Sequence, residues 1–280
     1  MRGINTKILE DAIYESVISA TYKLSEDLRI ALKKAIDDET SESAKYILNQ
    51  IVKNYEIAME EKIPLCQDTG RIIIFIEMGQ ETYFSEGFLL SSLNRAISRA
   101  TADGYLRKSS IDIPFSNNYK VDNVPPIIHI EIVRGDRVKI YIMLKGAGAE
   151  NASFFKIYTP TNTLEEVKND ILEWIKNNAA KACPPVIVGI GIGGDFEYAP
   201  LLAKKALLRK LNSNNKIEVF AEMEKELLEK INETGIGPMG IGGKTTALAV
   251  HIETAPTHIA SIPVAVNLSC HSLRFAKIVV

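Results

Sequence analysis

A seven-residue segment, PLCQDTG at residues 64–70, places four polar side chains one after another. An amphipathic helical pattern precedes it at residues 44–55, and an apolar run follows it at residues 72–76. A segment between a helix and a buried strand forms a short loop at the end of a sheet, where functional side chains are commonly presented. The sequence therefore predicts a functional loop that carries the side chains of Cys66, Gln67, Asp68 and Thr69.

The other two cysteines of the chain lie in similar settings. Cys183 precedes a strand-like run, PPVIV, and Cys270 follows another apolar run at residues 262–269. The short C-x-x-C spacing of zinc knuckles and ferredoxins is absent. Spacing alone favours three buried, inert thiols. The similar settings instead suggest one shared metal site built by the whole fold, and both explanations stay open at this point.

Composition excludes several classes of function. The 280 residues carry a net charge of −2, so no global positive field attracts nucleic acid or an anionic membrane. No apolar run reaches the roughly 18 residues of a membrane-spanning helix. The N-terminus lacks the features of a signal peptide, and an odd number of cysteines suits a reducing compartment. We expect a cytoplasmic protein.

Periodicity predicts interleaved helices and strands. Helical patterns cover residues 4–62, 86–103, 163–180, 198–211 and 217–233. Strand patterns cover residues 72–78, 127–133, 138–144, 186–188, 246–252 and 262–268. Residues 127–133 and 138–144 are predicted to pair as a hairpin that turns at residues 134–136, and Gly104 is predicted to end the helix before it. We predict an α+β fold with mixed sheets and flanking helices, forming one domain over residues 1–280, either compact or in two lobes.

Three glycine-rich segments raise the question of ligand binding. Residues 189–194 fit the dinucleotide pattern G-x-G-x-x-G, but Asp195 would repel a pyrophosphate there, so the signal is weak. Residues 242–245 are not a nucleotide P-loop, because Pro238 replaces the required glycine; we expect Lys244 and Thr245 to lie near an anion instead. Residues 145–151 predict either a close backbone approach to a ligand or a plain connection.

Four separated motifs together resemble the α part of the class I (iron–sulfur) fumarate hydratase family, which is also found in L-tartrate dehydratase. The resemblance extends from about residue 5 to the C-terminus. The motifs occur in the family's order, which makes the resemblance specific. They are PLCQDTG at 64–70, GIGGD at 191–195, GIGPMG at 235–240 and NLSCHSLR at 267–274.

The resemblance implies a cofactor and a set of site residues. It makes Cys66, Cys183 and Cys270 the ligands of a [4Fe-4S] cluster whose open iron acts as a Lewis acid. Asp68 then has a catalytic role in proton transfer. The residues implied to bind substrate are Gln67, Arg107, Gly148 and His258.

The implied activity is the reversible hydration of fumarate to L-malate. Nothing after Cys270 resembles the family's β part, so we expect a separate β subunit, without which the chain is inactive or nearly so, and a two-fold assembly of α/β pairs. No nucleic acid or membrane partner is expected. The in-class alternatives are the α subunit of an L-tartrate dehydratase or of a mesaconate hydratase. Two other classes stay open: a redox or iron-sensing cluster protein, and a nucleotide-binding module at residues 189–194.

Overall fold

The computed structural model describes all 280 residues, and they divide into two compact units. Unit 1 comprises Met1–Ser25, Asn54–Ala147 and Arg274–Val280. Unit 2 comprises Glu26–Lys53 and Gly148–Leu273. Each unit has its own four-stranded sheet and its own apolar core.

Helices and strands alternate along much of the chain. The strands are β1 (Arg2–Asn5), β2 (Arg71–Gly79), β3 (Thr82–Ser85), β4 (Ser110–Ile111), β5 (Val121–Asp122), β6 (Ile127–Val133), β7 (Val138–Lys145), β8 (Phe154–Tyr158), β9 (Val186–Gly194), β10 (Ala247–Thr257), β11 (Ile262–Ser269) and β12 (Arg274–Val279). The α-helices are α1 (Thr6–Tyr22), α2 (Glu26–Asp38), α3 (Glu42–Glu61), α4 (Leu89–Asp103), α5 (Ala147–Glu150), α6 (Leu164–Asn178), α7 (Tyr198–Ala206) and α8 (Glu218–Glu233). The predicted α+β class is confirmed.

Unit 1 is built around a mixed sheet with the strand order β12-β7-β2-β6. Alternate residues of β2 (Ile72, Ile74 and Ile76) are fully buried and face helices α1 and α4. Helix α1 begins after Asn5, whose side chain accepts hydrogen bonds from the backbone N–H groups of Lys7 and Ile8. Helix α1 contacts α4, β12 and β7, so it is the central helix of this layer.

The predicted hairpin between β6 and β7 is wrong, because β2 lies between these strands. Ile74 of β2 is paired with Ile128 in parallel and with Ile142 in antiparallel orientation. The apolar run of β2 is buried on both faces. Its backbone N–H and C=O groups therefore cannot bond to water and need a partner strand at each edge. A central position in the sheet gives both edges of β2 a hydrogen-bonding partner. The residues of the turn at 134–136 carry no information about this position.

Unit 2 has a second mixed sheet with the strand order β10-β9-β11-β8. Strand β9 runs parallel to β10 and antiparallel to β11. One face of the sheet packs against α6 and α8, and the other face packs against α7. The capping box at Thr163 and Glu166 fixes the start of α6.

The glycines at residues 189–194 belong to strand β9 and let α7 approach it. A Cβ atom at Gly189 would lie 2.1 Å from the carbonyl oxygen of Ala203, and one at Gly191 would lie 2.0 Å from that of Ala199. Asp195 Oδ1 accepts the N–H groups of Glu197 (3.1 Å) and Tyr198 (2.8 Å) at the start of α7. The glycine pattern therefore has a packing explanation, and a carboxylate of the chain caps the helix where a phosphate would bind.

Several local features depart from the predictions. Six strands were not predicted, and each is short and partly exposed: β1, β3, β4, β5, β8 and β12. Gly104 is the C-cap of α4, as predicted, but the left-handed residue is the following Tyr105 (φ 50°) and not Gly104 (φ −85°). Gly104 instead makes room for a close contact, since a Cβ atom there would lie 2.8 Å from Ile18. No helix is both long and apolar enough to cross a membrane.

Candidate functional site

The Cys66 loop of unit 1 is held between two helices. Leu65 is buried; its N–H donates to the carbonyl oxygen of Thr21 at the end of α1 (2.9 Å), and its own carbonyl accepts from Asn54 Nδ2 of α3 (3.1 Å). These bonds fix the residue that immediately precedes Cys66. The thiol of Cys66 is half-buried and forms no disulfide, and Gln67 is exposed.

Asp68 is oriented by two backbone donors. Its Oδ1 accepts the N–H of Gly70 (2.9 Å), and its Oδ2 accepts the N–H of Ala147 (2.9 Å), which follows β7. Gly70 has φ 79°, and a Cβ atom there would lie 2.4 Å from the carbonyl oxygen of Lys145. The loop and the end of β7 therefore touch only because residue 70 is glycine, and the half-buried carboxylate is fixed in orientation.

Arg107 lies in an exposed segment after α4, and the buried Asn123 holds this segment in place. Asn123 Nδ2 donates to the carbonyl oxygen of Arg107 (3.1 Å), and its Oδ1 accepts the N–H of Ser109 (2.9 Å). Gly104, three residues earlier, packs against Ile18, one turn before the end of α1. Unit 1 thus brings the Cys66 loop and the Arg107 segment to the same end of α1.

Unit 2 brings Cys183 and Cys270 into neighbouring loops. Strands β9 and β11 are antiparallel, with Ser269 opposite Ile187, so the end of β11 lies beside the start of β9. His271 links the two loops: its N–H and its Nδ1–H both donate to the carbonyl oxygen of Cys183, at 3.4 Å and 3.0 Å. Both thiols are reduced; Cys183 is exposed and Cys270 is half-buried. Ser272 Oγ lies 3.1 Å from Cys270 Sγ.

Gly148 lies at the same end of unit 2 as these two cysteines. A Cβ atom at Gly148 would lie 3.3 Å from the carbonyl oxygen of Lys181, two residues before Cys183. Asn267 Nδ2 donates to Glu150 Oε2 (2.9 Å), which ties helix α5 to the strand that leads to Cys270. Neither Asn267 nor Glu150 was predicted to have a role. The only sequence signal for their hydrogen bond is that Asn267 begins the NLSCHSLR motif.

His258 lies at the other end of the unit 2 sheet. It follows β10, which runs parallel to the nine-residue β9, whereas Cys183 precedes β9. At about 3.3 Å per residue, the length of β9 separates the two ends of the sheet by roughly 25 Å. His258 is exposed, and its Nδ1 accepts the N–H of Ala260 (3.1 Å). Unit 2 therefore does not bring His258 to Cys183 and Cys270.

The donor set suits an iron–sulfur cluster. Cys183 and Cys270 lie in adjacent loops and form no disulfide, and Cys66, also without a disulfide, lies in the loop of unit 1 that the sequence predicts to be functional. Soft thiolates are the ligands that such clusters take. No group of three or more His, Cys, Asp and Glu side chains forms a ready-made metal site within either unit. Convergence of all three cysteines stays a prediction.

The anion predicted beside Lys244 and Thr245 is a carboxylate of the chain itself. Glu39 is 2% exposed, and its carboxylate accepts the N–H groups of Lys244 (2.8 Å) and Thr245 (3.2 Å). It also accepts the N–H groups of Thr40 (2.9 Å) and Ser41 (3.1 Å). Burial raises the pKa of Glu39, but these hydrogen bonds outweigh burial and hold the pKa below its ordinary value.

Arg274 is a buried charge that nothing in the surrounding sequence predicts. It begins β12 opposite Leu144 of β7, and only 2% of the residue is exposed. Its Nε has no hydrogen-bond partner. The one sequence signal is its position at the end of the NLSCHSLR motif.

Comparison with known proteins identifies relatives over nearly the whole chain. The sequence model of the family described as "Fumarate hydratase (Fumerase)" matches residues 10–279. The chain is 42% identical over 274 residues to "Putative L(+)-tartrate dehydratase subunit alpha" of Methanocaldococcus jannaschii, covering 96% of each chain. It is 34% identical over 255 residues to "L(+)-tartrate dehydratase subunit alpha" of Escherichia coli strain UTI89, covering 90% of this chain and 84% of the relative. The K12 strain protein of the same name is 33% identical over 261 residues, covering 92% and 86%.

Proposed function

This chain belongs to the fumarate hydratase (Fumerase) family, and from that premise we propose that it is the α subunit of an iron–sulfur hydro-lyase acting on a small dicarboxylate. The observation that carries the proposal is that Cys183 and Cys270, neither of them in a disulfide, lie in hydrogen-bonded neighbouring loops of unit 2. Inert structural cysteines are typically buried among apolar side chains, whereas Cys183 is exposed.

In this proposal Cys66, Cys183 and Cys270 hold a [4Fe-4S] cluster. When bound, the cluster supplies a Lewis acid that favours departure of the substrate hydroxyl as hydroxide. His271 fixes the backbone of Cys183 by donating to its carbonyl oxygen. The Ser272 hydroxyl lies within hydrogen-bond reach of Cys270 Sγ, where it can donate to a thiolate and stabilise it.

The remaining chemistry falls to polar residues of the chain. Dehydration removes hydroxide from one carbon and a proton from the adjacent carbon, which leaves a carbon–carbon double bond and a water molecule. Asp68 carries or directs that proton, because its carboxylate is held in one orientation by two backbone N–H groups. Arg107 binds a substrate carboxylate. Gln67 and the backbone of Gly148 complete the proposed contacts.

His258 has the weakest claim among the proposed substrate contacts. The family resemblance assigns it to the substrate, but it follows β10 at the end of the sheet remote from Cys183. A role beside the two unit 2 cysteines has no geometric support within one chain.

Three candidate substrates remain in the proposal. The family description favours fumarate and L-malate, whereas the names of the M. jannaschii and E. coli relatives favour L-tartrate. Mesaconate is a third candidate of the same chemical class. Those relatives are named as α subunits, which supports a separate β subunit as the partner here, in a two-fold assembly of α/β pairs.

The test is anaerobic reconstitution of the chain with iron and sulfide, in complex with its β partner. We expect a bound cluster with visible absorbance, and turnover of at least one of fumarate, L-tartrate and mesaconate. Cys66→Ser, Cys183→Ser and Cys270→Ser should each lose cluster and turnover, while the matched control Ser269→Ala keeps both. A complex that binds no iron, or keeps turnover without the cysteines, would overturn the proposal.

A further inference from the structure

The guanidinium of Arg274 is a buried cation without a counter-ion. Its Nε is fully enclosed and has no hydrogen-bond partner, and no ion pair joins Arg274 to a carboxylate of the chain. Burying an unpaired charge is strongly unfavourable, so arginines that serve packing alone are normally paired or hydrogen-bonded. An anion from outside the chain would satisfy this group.

Gly146 places no side chain beside Arg274 and Asp68. A Cβ atom at Gly146 would lie 3.9 Å from Arg274 Nη2 and 3.3 Å from Asp68 Oδ2. The guanidinium and the Asp68 carboxylate therefore border the place that a side chain at position 146 would occupy. No ion pair joins Asp68 to Arg274, and both Asp68 oxygens accept backbone N–H groups.

We propose that Arg274 forms a carboxylate-binding subsite in unit 1, at the position that Gly146 leaves without a side chain. The inference rests on the proposed function for the identity of its ligand, a small dicarboxylate. Arginine suits this role because its planar fork of N–H groups binds a carboxylate through two parallel hydrogen bonds. The exposed Arg107 is the family-implied cation, so Arg274 provides a second cation for a substrate with two carboxylates.

The subsite also gives a reason for the position of Asp68. A carboxylate bound at Arg274 brings its adjacent carbon beside Asp68 Oδ2, which borders the same space. When a proton leaves that carbon, negative charge spreads onto the bound carboxylate. A cation already in place stabilises this charge as it develops, so Arg274 should affect kcat as well as KM.

The direct test is binding of fumarate to the full-length, cluster-free chain, measured by calorimetry, with neutral dimethyl fumarate as the uncharged probe. We expect the wild-type chain to bind fumarate but not the diester. Arg274→Gln should weaken binding about 30-fold or more, the loss expected when a charged partner is removed. Gly146→Ala, which keeps the arginine but fills the space, should also weaken binding. Lys277→Gln, the same charge change in an exposed residue of β12, should not.

A second measurement separates this role from a structural one. Removal of a structural arginine lowers Tm, whereas removal of an unpaired buried charge leaves Tm unchanged or raises it. We expect Arg274→Gln without ligand to melt no lower than wild type, and to lose the fumarate-dependent rise in Tm. A lower Tm with unchanged fumarate binding would overturn the inference.

Turnover in the α/β complex distinguishes failure of the subsite from failure of the proposed function. Normal kcat and KM in Arg274→Gln, in a complex that dehydrates a dicarboxylate, would refute the subsite and leave the function standing. A complex that turns over no dicarboxylate, but whose α chain binds fumarate through Arg274, would refute the function and leave the subsite standing. Equal fumarate binding by wild type and Arg274→Gln overturns the subsite in either case.

Discussion

At the scale of single residues, three carboxylates in this protein are positioned by backbone N–H groups. Asp68 and Asp195 each accept two of them, and Glu39 accepts four. A carboxylate held in this way has a defined direction. These carboxylates nevertheless serve different purposes, since Asp195 caps a helix, Glu39 joins two segments, and Asp68 lies in the candidate site.

Substitutions of Asp68 and of Arg107 should have different effects in the reconstituted complex, the first on the chemical step and the second on substrate binding. Asp68→Asn keeps the shape of the side chain but removes the carboxylate, so we expect kcat to fall about 100-fold or more with little change in KM. Arg107→Ala should raise KM strongly, because a charge-assisted contact to a carboxylate is lost. Steady-state kinetics and the visible absorbance of the cluster measure both effects. Loss of the cluster in both variants would show that these residues are structural.

Glu39 should stabilise unit 2 in its ionised form. Glu39→Gln replaces charge-assisted hydrogen bonds with neutral ones, and we expect the free energy of unfolding in urea to fall by about 2 kcal/mol at pH 7. The pKa of Glu39 is below its ordinary value of 4.5, so this stability is present above about pH 4.5 and is lost as the pH falls further. The control is Lys244→Ala, which keeps the backbone donor and should change stability little. Equal losses in both variants would contradict this account.

His251 should make the fold sensitive to mild acid. It is 1% exposed on β10, and neither ring nitrogen has a hydrogen-bond partner. Burial, with a smaller effect of the nearby Arg209, lowers the pKa of His251 below its ordinary value of 6.5. The unfolded chain therefore takes up the proton first, and stability declines as the pH falls below about 6.5. Urea unfolding at pH 7.5 and 5.5 measures this decline, which should be smaller in His251→Leu.

At the scale of elements, the two faces of strand β9 contact different helices. Val188 and Ile190 belong to the core shared with α6 and α8, whereas Gly189 and Gly191 face α7. Because glycine has no side chain, the backbone of α7 can come close to that of β9 at these two positions. The same residues gave the sequence its false resemblance to a dinucleotide-binding turn.

Gly191→Ala should therefore destabilise the fold, and no nucleotide binding should be involved. The added Cβ atom would lie 2.0 Å from the carbonyl oxygen of Ala199, so α7 must shift away from β9. We expect unfolding free energy to fall by about 1–3 kcal/mol, as in other overpacked cores. Ile192→Val, on the opposite face of the same strand, should cost only about 1 kcal/mol. Titration with NAD or ATP should show no binding to the wild-type chain, and clear saturation would contradict the packing explanation.

At the scale of the whole molecule, the chain supplies thiols, one catalytic carboxylate and two arginines to the proposed chemistry. We expect these to be insufficient, so the purified, reconstituted chain without its β partner should bind a cluster but dehydrate L-malate or L-tartrate at less than about 1% of the rate of the complex. The physical reason is that a dianion gains charge density in the transition state and needs surrounding cations and exclusion of water. Turnover by the isolated chain at the rate of the complex would show that it holds a complete site.

The sequence by itself determined the class of the fold and indicated the segments that are proposed to carry chemistry. Periodicity located most helices and half of the strands, because amphipathic spacing is a local property. The PLCQDTG segment was predicted to be a functional loop because the helix before it and the buried strand after it are both indicated by neighbouring residues. The family, and with it the roles proposed for the cysteines, followed from four motifs rather than from spacing, which alone favoured inert thiols.

Only the tertiary structure decided which strands are neighbours and which charges lack partners. The insertion of β2 between β6 and β7 depends on burial of its two faces, and the glycines of β9 are explained by a helix that follows them. Glu39 meets Lys244 across more than two hundred residues of sequence, and Arg274 meets the space at Gly146 through sheet pairing with Leu144. Such contacts join residues far apart in the chain, and their free energy depends on geometry that no local pattern contains.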